Sequence, residues 1–214
     1  MKNWFIILFA AFTVLLAPAQ GAILNKKPTP TRQHKQEQKD TTFSDLAQWA
    51  DLSPEQRAIA KWIDENKRVD LSEYRIAQIV KAAYAQAQKL RIEPMLLIAL
   101  MKHESGFNPN AVSAHGAKGL TQVMPKYHRD KLAGRSPLNI QTSVEVGATV
   151  YREYLDQANG NTWRALQTYN GGYYNRRNEY PKAVLANKKK IERYVVENLF
   201  SEPPIAQYYL VASQ

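Results

Sequence analysis

Pro94-Met95-Leu96-Leu97-Ile98-Ala99-Leu100-Met101-Lys102-His103-Glu104-Ser105-Gly106 is apolar without interruption from Met95 to Met101 and polar from Lys102 onward. Proline suits the first turn of a helix and glycine the position just past its end, so the segment reads as one helix. Apolar side chains all round it imply burial on most sides. Glu104 falls at the end of this helix, on the face of Met101, Leu100 and Leu97. Apolar neighbours and the negative end of the helix dipole both disfavour its charge, which raises its pKa. A carboxyl that keeps its proton near neutral pH is what a general acid requires. The same spacing also fits a glutamate that turns out to solvent, because Lys102 and His103 show that one face meets water.

Helical patterns continue on both sides. Ser53-Pro54-Glu55-Gln56 is a start signal leading to Ile59, Trp62 and Ile63. After Ser72, Ile76, Ile79, Val80, Ala83 and Ala87 keep a helical period to Leu90. Further helices are predicted at residues 143–155, 163–169 and 181–199, separated by glycine-containing loops at 105–119 and 171–178. No alternating strand of useful length and no internal repeat is present. The expected fold class is therefore mainly α, with a small helical leader at residues 43–70 that contains Trp49 and Trp62, ahead of a domain at 71–200.

The 214 residues, 44% apolar and 22% charged, suit one soluble domain. The absence of cysteine excludes disulfides, a cysteine nucleophile, thiolate metal sites and a lipid anchor on an N-terminal cysteine. Met1-Lys2 followed by the apolar run Trp4 to Leu16 and by Ala17-Pro18-Ala19-Gln20-Gly21 has the form of a signal peptide at residues 1–21, too short for a stable membrane span. Residues 22–42 form a basic linker that lacks the apolar content to order itself. The formal charge is +10, of which the linker carries +3 and residues 176–193 carry +5. This distribution points to attachment near an anionic polymer, with a nearly neutral remainder. A specific nucleic-acid partner would rest on net charge alone. The tail at 201–214 contains Tyr208, Tyr209 and Leu210.

Glu104-Ser105, then Gly119-Leu120-Thr121-Gln122-Val123-Met124-Pro125, then Tyr169-Asn170-Gly171-Gly172 occur in that order. Together they resemble the signature motifs of soluble lytic murein transglycosylases, lysozyme-like enzymes that cut the glycan strand of peptidoglycan. The resemblance covers about residues 80–185. It implies that Glu104 is the sole catalytic acid and base. Ser113 corresponds to a serine that positions the sugar or polarises its acetamido group, Gln122 and Met124 to the pair that lines the cleft, Tyr169 to an active-site tyrosine, and Asn170 to the residue that braces its loop. Thr121 stands where the family often has Met. Ser143 stands where it usually has Asn, a departure that touches a bracing contact more than the chemistry.

The resemblance further implies a non-hydrolytic cut giving 1,6-anhydro-muramic ends, peptidoglycan as partner, a periplasmic or secreted location and no cofactor or metal. It also raises association with a secretion, conjugation, phage or flagellar assembly. Hydrolysing glycosidases normally need two carboxyl groups, and only Glu104 lies in the motif loops. A goose-type muramidase would need Glu145 or Glu153 to face it. A non-catalytic peptidoglycan-binding scaffold is the other alternative. His103-Glu104 is half of a zinc-protease motif, but the second histidine is missing.

Overall fold

The computed structural model describes residues 49–171 and 178–199. The signal-like segment, the linker, the start of the leader, Gly172, Arg176, Arg177 and the tail lie outside the described residues. Seven helices run in the order α1 (Pro54–Asn66), α2 (Glu73–Leu90), α3 (Pro94–Ser105), α4 (Arg129–Leu132), α5 (Ile140–Gln157), α6 (Thr162–Tyr169) and α7 (Glu179–Leu199) among these residues. The fold is mainly α, as the periodicities imply. Among the described residues the only β pairing is two isolated antiparallel bridges, Val112 with Lys118 and Lys118 with Val123.

The start of α1 is a capping box: the Gln56 N–H donates to the Ser53 hydroxyl, and the Ser53 N–H donates to the Gln56 side chain at 2.9 Å. Asn139 and Asn161 cap α5 and α6 with one bond each, their side-chain oxygens accepting the Thr142 and Arg164 N–H groups at 3.0 Å, which places both starts slightly upstream of the apolar periodicity. α7 begins at Glu179, so Pro181 lies within its first turn, where a proline removes no intrahelical hydrogen bond. The short α4 was not foreseen, since one turn carries no readable period.

α3 forms the centre. Leu96 to Met101 are all buried, with α2 on one side and α7 on another. α5 packs along α2 and against α6, while α1 packs on α2 and α7. Trp49, Leu52, Ile59, Trp62 and Ile63 of the leader belong to the same continuous core as Leu97, Leu100, Tyr151 and Ile191. Each such aliphatic side chain contributes roughly 1.5–3 kcal/mol when fully buried. The last turn of α3 is thereby held against its neighbours, and Glu104 with it. Among the described residues no helix is long and apolar enough to cross a membrane.

Candidate active site

Glu104 is half-buried, and the residues one and two turns before it, Leu97, Leu100 and Met101, are almost wholly excluded from solvent. Burial drives its pKa up to about 7, although the Tyr180 hydroxyl, which donates to Oε1, pulls in the opposite direction. Desolvation wins because one hydrogen bond replaces only part of the carboxylate's hydration. No second carboxylate perturbs it among the described residues. Glu145 accepts from both terminal nitrogens of Arg135, at 2.8 and 3.3 Å, and Glu153 pairs with Lys131 at 3.1 Å.

Tyr180 is the residue that the sequence reading missed. Its ring is buried at 7% exposure and meets His103 edge-to-face at 4.8 Å, so it closes over the last turn of α3 from α7. Burial is the main cause that raises its own pKa, and the nearby Glu104 charge adds to it; the phenol therefore remains a donor. Removing that donor with Tyr180→Phe takes away the contribution that lowers the Glu104 pKa. The alkaline limb of a pH–activity profile, centred near 7 in the parent, is then expected to move to higher pH. An unmoved limb would show that the hydrogen bond does not tune the acid.

Ser105 links α3 to the second motif. Its buried hydroxyl lies 2.8 Å from the Leu120 carbonyl and 3.1 Å from the Met101 carbonyl. Thr121, next in that loop, is locked to α5: its N–H donates to Ser143 Oγ at 3.2 Å and its hydroxyl to the Ser143 carbonyl at 2.7 Å. The serine–threonine pair joins the second-motif loop to α5. Thr121 also lies against Gly147, where an added Cβ would come within 2.4 Å of it. The Thr121 carbonyl in turn accepts the Tyr169 hydroxyl at 2.9 Å. Tyr169 packs edge-to-face on Tyr154 at 6.3 Å, and burial, then the Glu104 charge, raises its pKa.

Glu104, Tyr169 and Tyr180 are therefore one electrostatic group. The other site residues named from the sequence sit in the surrounding loops. Ser113 Oγ accepts the Ala117 N–H at 3.0 Å, which leaves its proton available to a ligand. Gln122 has φ +50 and turns its side-chain nitrogen onto the Gly119 carbonyl at 3.0 Å, so it first stabilises its own loop. Met124 is half-buried beside that turn. Asn170 is exposed and caps the end of α6, its N–H donating to the Leu166 carbonyl at 3.2 Å.

The sequence pattern of the transglycosylase SLT domain matches residues 81–192, a little over half of the 214-residue chain. The chain belongs to the transglycosylase SLT family. Its SLT region runs from within α2 into α7 and includes Glu104, Tyr169 and Tyr180, whereas α1 and its connection to α2 lie outside it. Membrane-bound lytic murein transglycosylase C of Actinobacillus pleuropneumoniae serotype 5b (strain L20) is 43% identical over 54 residues, 25% of this chain and 15% of that protein. The same protein from serotype 3 (strain JL03) matches to the same extent. The similarity thus spans well under a quarter of these curated relatives. Among solved structures, the 70-kDa soluble lytic transglycosylase in complex with bulgecin A is 22% identical, with a TM-score of 0.42, over 74% of this chain and 26% of that one.

Proposed function

We propose that the protein is a peptidoglycan lytic transglycosylase that cuts the β-1,4 bond between N-acetylmuramic acid and N-acetylglucosamine without water. The observation that carries this reading is Glu104: one carboxyl at the end of a buried helix, with a pKa of about 7 and a neutral tyrosine hydroxyl on it. Its proton passes to the bridging oxygen as the C1–O4 bond breaks. The resulting carboxylate takes the proton of the muramic C6 hydroxyl while O6 bonds to C1, which closes a 1,6-anhydro ring and returns Glu104 to its starting state. No second carboxylate is needed, unlike the hydrolytic scheme. Ser113 and the remaining N–H of the Gln122 amide are neutral donors that would orient the acetamido group, which shields the positive charge at C1, while the Tyr169 and Tyr180 hydroxyls hold the Thr121 carbonyl and Glu104. The signal-like segment supports action in the periplasm.

Mass spectrometry of products released from purified sacculi tests the reading. New ends carrying the 1,6-anhydro ring are expected. Reducing ends that incorporate oxygen from labelled water would overturn it in favour of a muramidase.

A further inference from the structure

Gly106 and Phe107 turn the chain out of α3 directly after Glu104-Ser105, with φ +60 and +68. Glycine takes that backbone freely, and the Gly106 N–H closes the helix on the Lys102 carbonyl at 3.1 Å. A phenylalanine there is strained and persists only where its surroundings fix it. What fixes it comes from residues 62–68, outside the SLT region. The Phe107 ring is wholly buried and meets the Trp62 ring of α1 edge-to-face at 6.0 Å. The Arg68 N–H donates to the Gly106 carbonyl at 3.0 Å, and the aliphatic stem of Arg68 covers Gly106 so closely that a Cβ there would lie 2.3 Å from its Cδ. On another face of the last turn from Glu104, the Lys102 ammonium donates to the Asn66 carbonyl, and the Asn66 amide donates to the Trp62 carbonyl at 2.9 Å. The same segment is tied to α7, which carries Tyr180: Glu65 accepts the Tyr194 hydroxyl at 2.7 Å.

Residues before and after Glu104 in the chain are thus bound to one segment, and so is the helix that closes over it. We infer that Trp62 and Arg68 are positioning residues: the segment 62–68 clasps the turn after Glu104 and keeps the last turn of α3 wound, with the carboxyl bonded to the Tyr180 hydroxyl. Successive residues of an α-helix point about 100° apart, so a slight unwinding of that turn swings the carboxyl off the hydroxyl and into water. A hydrated carboxylate loses the desolvation that raises its pKa. The inference rests on the glycan-cleaving reading for what the carboxyl does, whereas where the carboxyl is held is measurable without substrate. The titratable side chains that bear on Glu104, Tyr169 of α6 and Tyr180 of α7, are not among the residues changed in the test.

Trp62→Leu keeps an apolar side chain in the core but takes the ring from Phe107. Arg68→Ala removes the stem over Gly106 and, because Arg68 is exposed, leaves the core whole. Arg68→Met restores an unbranched stem without the charge. Each full-length protein is assayed below its own unfolding transition for kcat and KM on soluble peptidoglycan strands, for its pH–activity profile, and for the titration of the Glu104 carboxyl by carbon-13 NMR. Trp62→Leu is expected to lower kcat about ten-fold or more with KM unchanged, the scale of a small misplacement of a reacting group. Its alkaline limb and its carboxyl titration move together from about 7 toward 4.5. Arg68→Ala shows the same changes to a lesser degree, and Arg68→Met returns them to parent values. If Trp62→Leu does not fold, the two Arg68 variants decide. Parent kcat and parent titration in folded Arg68→Ala would overturn the clasp, and so would a failure of Arg68→Met to restore them, which assigns the effect to the charge. A parent that cuts no glycan while the carboxyl titration still moves in the variants refutes the glycan-cleaving reading and upholds the clasp.

Discussion

Glu104→Gln is expected to lower turnover on peptidoglycan by about a thousand-fold or more while leaving the fold intact, the scale at which a positioned acid–base group acts. Glutamine keeps the shape and can still accept the Tyr180 hydroxyl, but it has no proton to give the bridging oxygen and no basicity for the C6 hydroxyl. The same substitution carries a stability signature with a definite sign. The Glu104 pKa is about 7 in the folded protein against 4.5 for an ordinary glutamate, so between these values the folded state holds a proton that the unfolded chain has lost. Parent stability therefore declines as pH rises through that window, and above it an ionised, half-buried carboxylate costs about 3 kcal/mol. The variant does not titrate there. Thermal unfolding of both proteins from pH 4 to pH 8 should show curves that nearly coincide at the acid end and separate toward pH 8, with the glutamine form the more stable. Retention of more than a tenth of the turnover would remove Glu104 from the chemistry, and parallel pH curves would remove its raised pKa.

What could be foreseen about this site divides along physical lines. The burial of α3 follows from its uninterrupted apolar run, whereas the spacing of Leu97, Leu100 and Met101 fitted a buried and a solvent-facing Glu104 alike, and packing of α7 over the last turn is what desolvates it. Tyr180 lies 76 residues from its partner, and its place depends on α7 folding back along α3, which no local period encodes. The one available signal was a tyrosine just after the third motif and just before the proline of a helix start. Ser143 and Thr121 each depart from the pattern the motifs resemble, and that the two bond to each other is seen only in the fold. Ser113 and Gln122 were nameable by position, but the bonds that fix them join each side chain to the backbone of its own loop, which a motif does not show.

Gly119→Ala is expected to destabilise the protein by about 3 kcal/mol or more and to abolish activity even in the fraction that folds. The residue has φ +78, a region where a Cβ costs roughly 1–2 kcal/mol by itself. The added carbon would also sit 2.0 Å from the Pro137 carbonyl oxygen and 2.7 Å from Ser143 Oγ. The first of these is backbone, which cannot rotate away, so the strand of loop or the start of α5 must move, a distortion that adds about 1–3 kcal/mol. That movement pulls on the contact where Ser143 holds Thr121, and the Thr121 carbonyl is what receives the Tyr169 hydroxyl. The misplacement therefore reaches the tyrosine beside Glu104 through two hydrogen bonds. Gly116→Ala separates the two causes: its φ is +84, but no atom lies within 4 Å of an added Cβ, so it should lose only the conformational part. Chemical denaturation of both variants, with turnover measured under conditions where each is folded, checks the argument. Equal destabilisation by the two substitutions would mean that the close approach of Gly119 to Pro137 does not hold the motif loop in place.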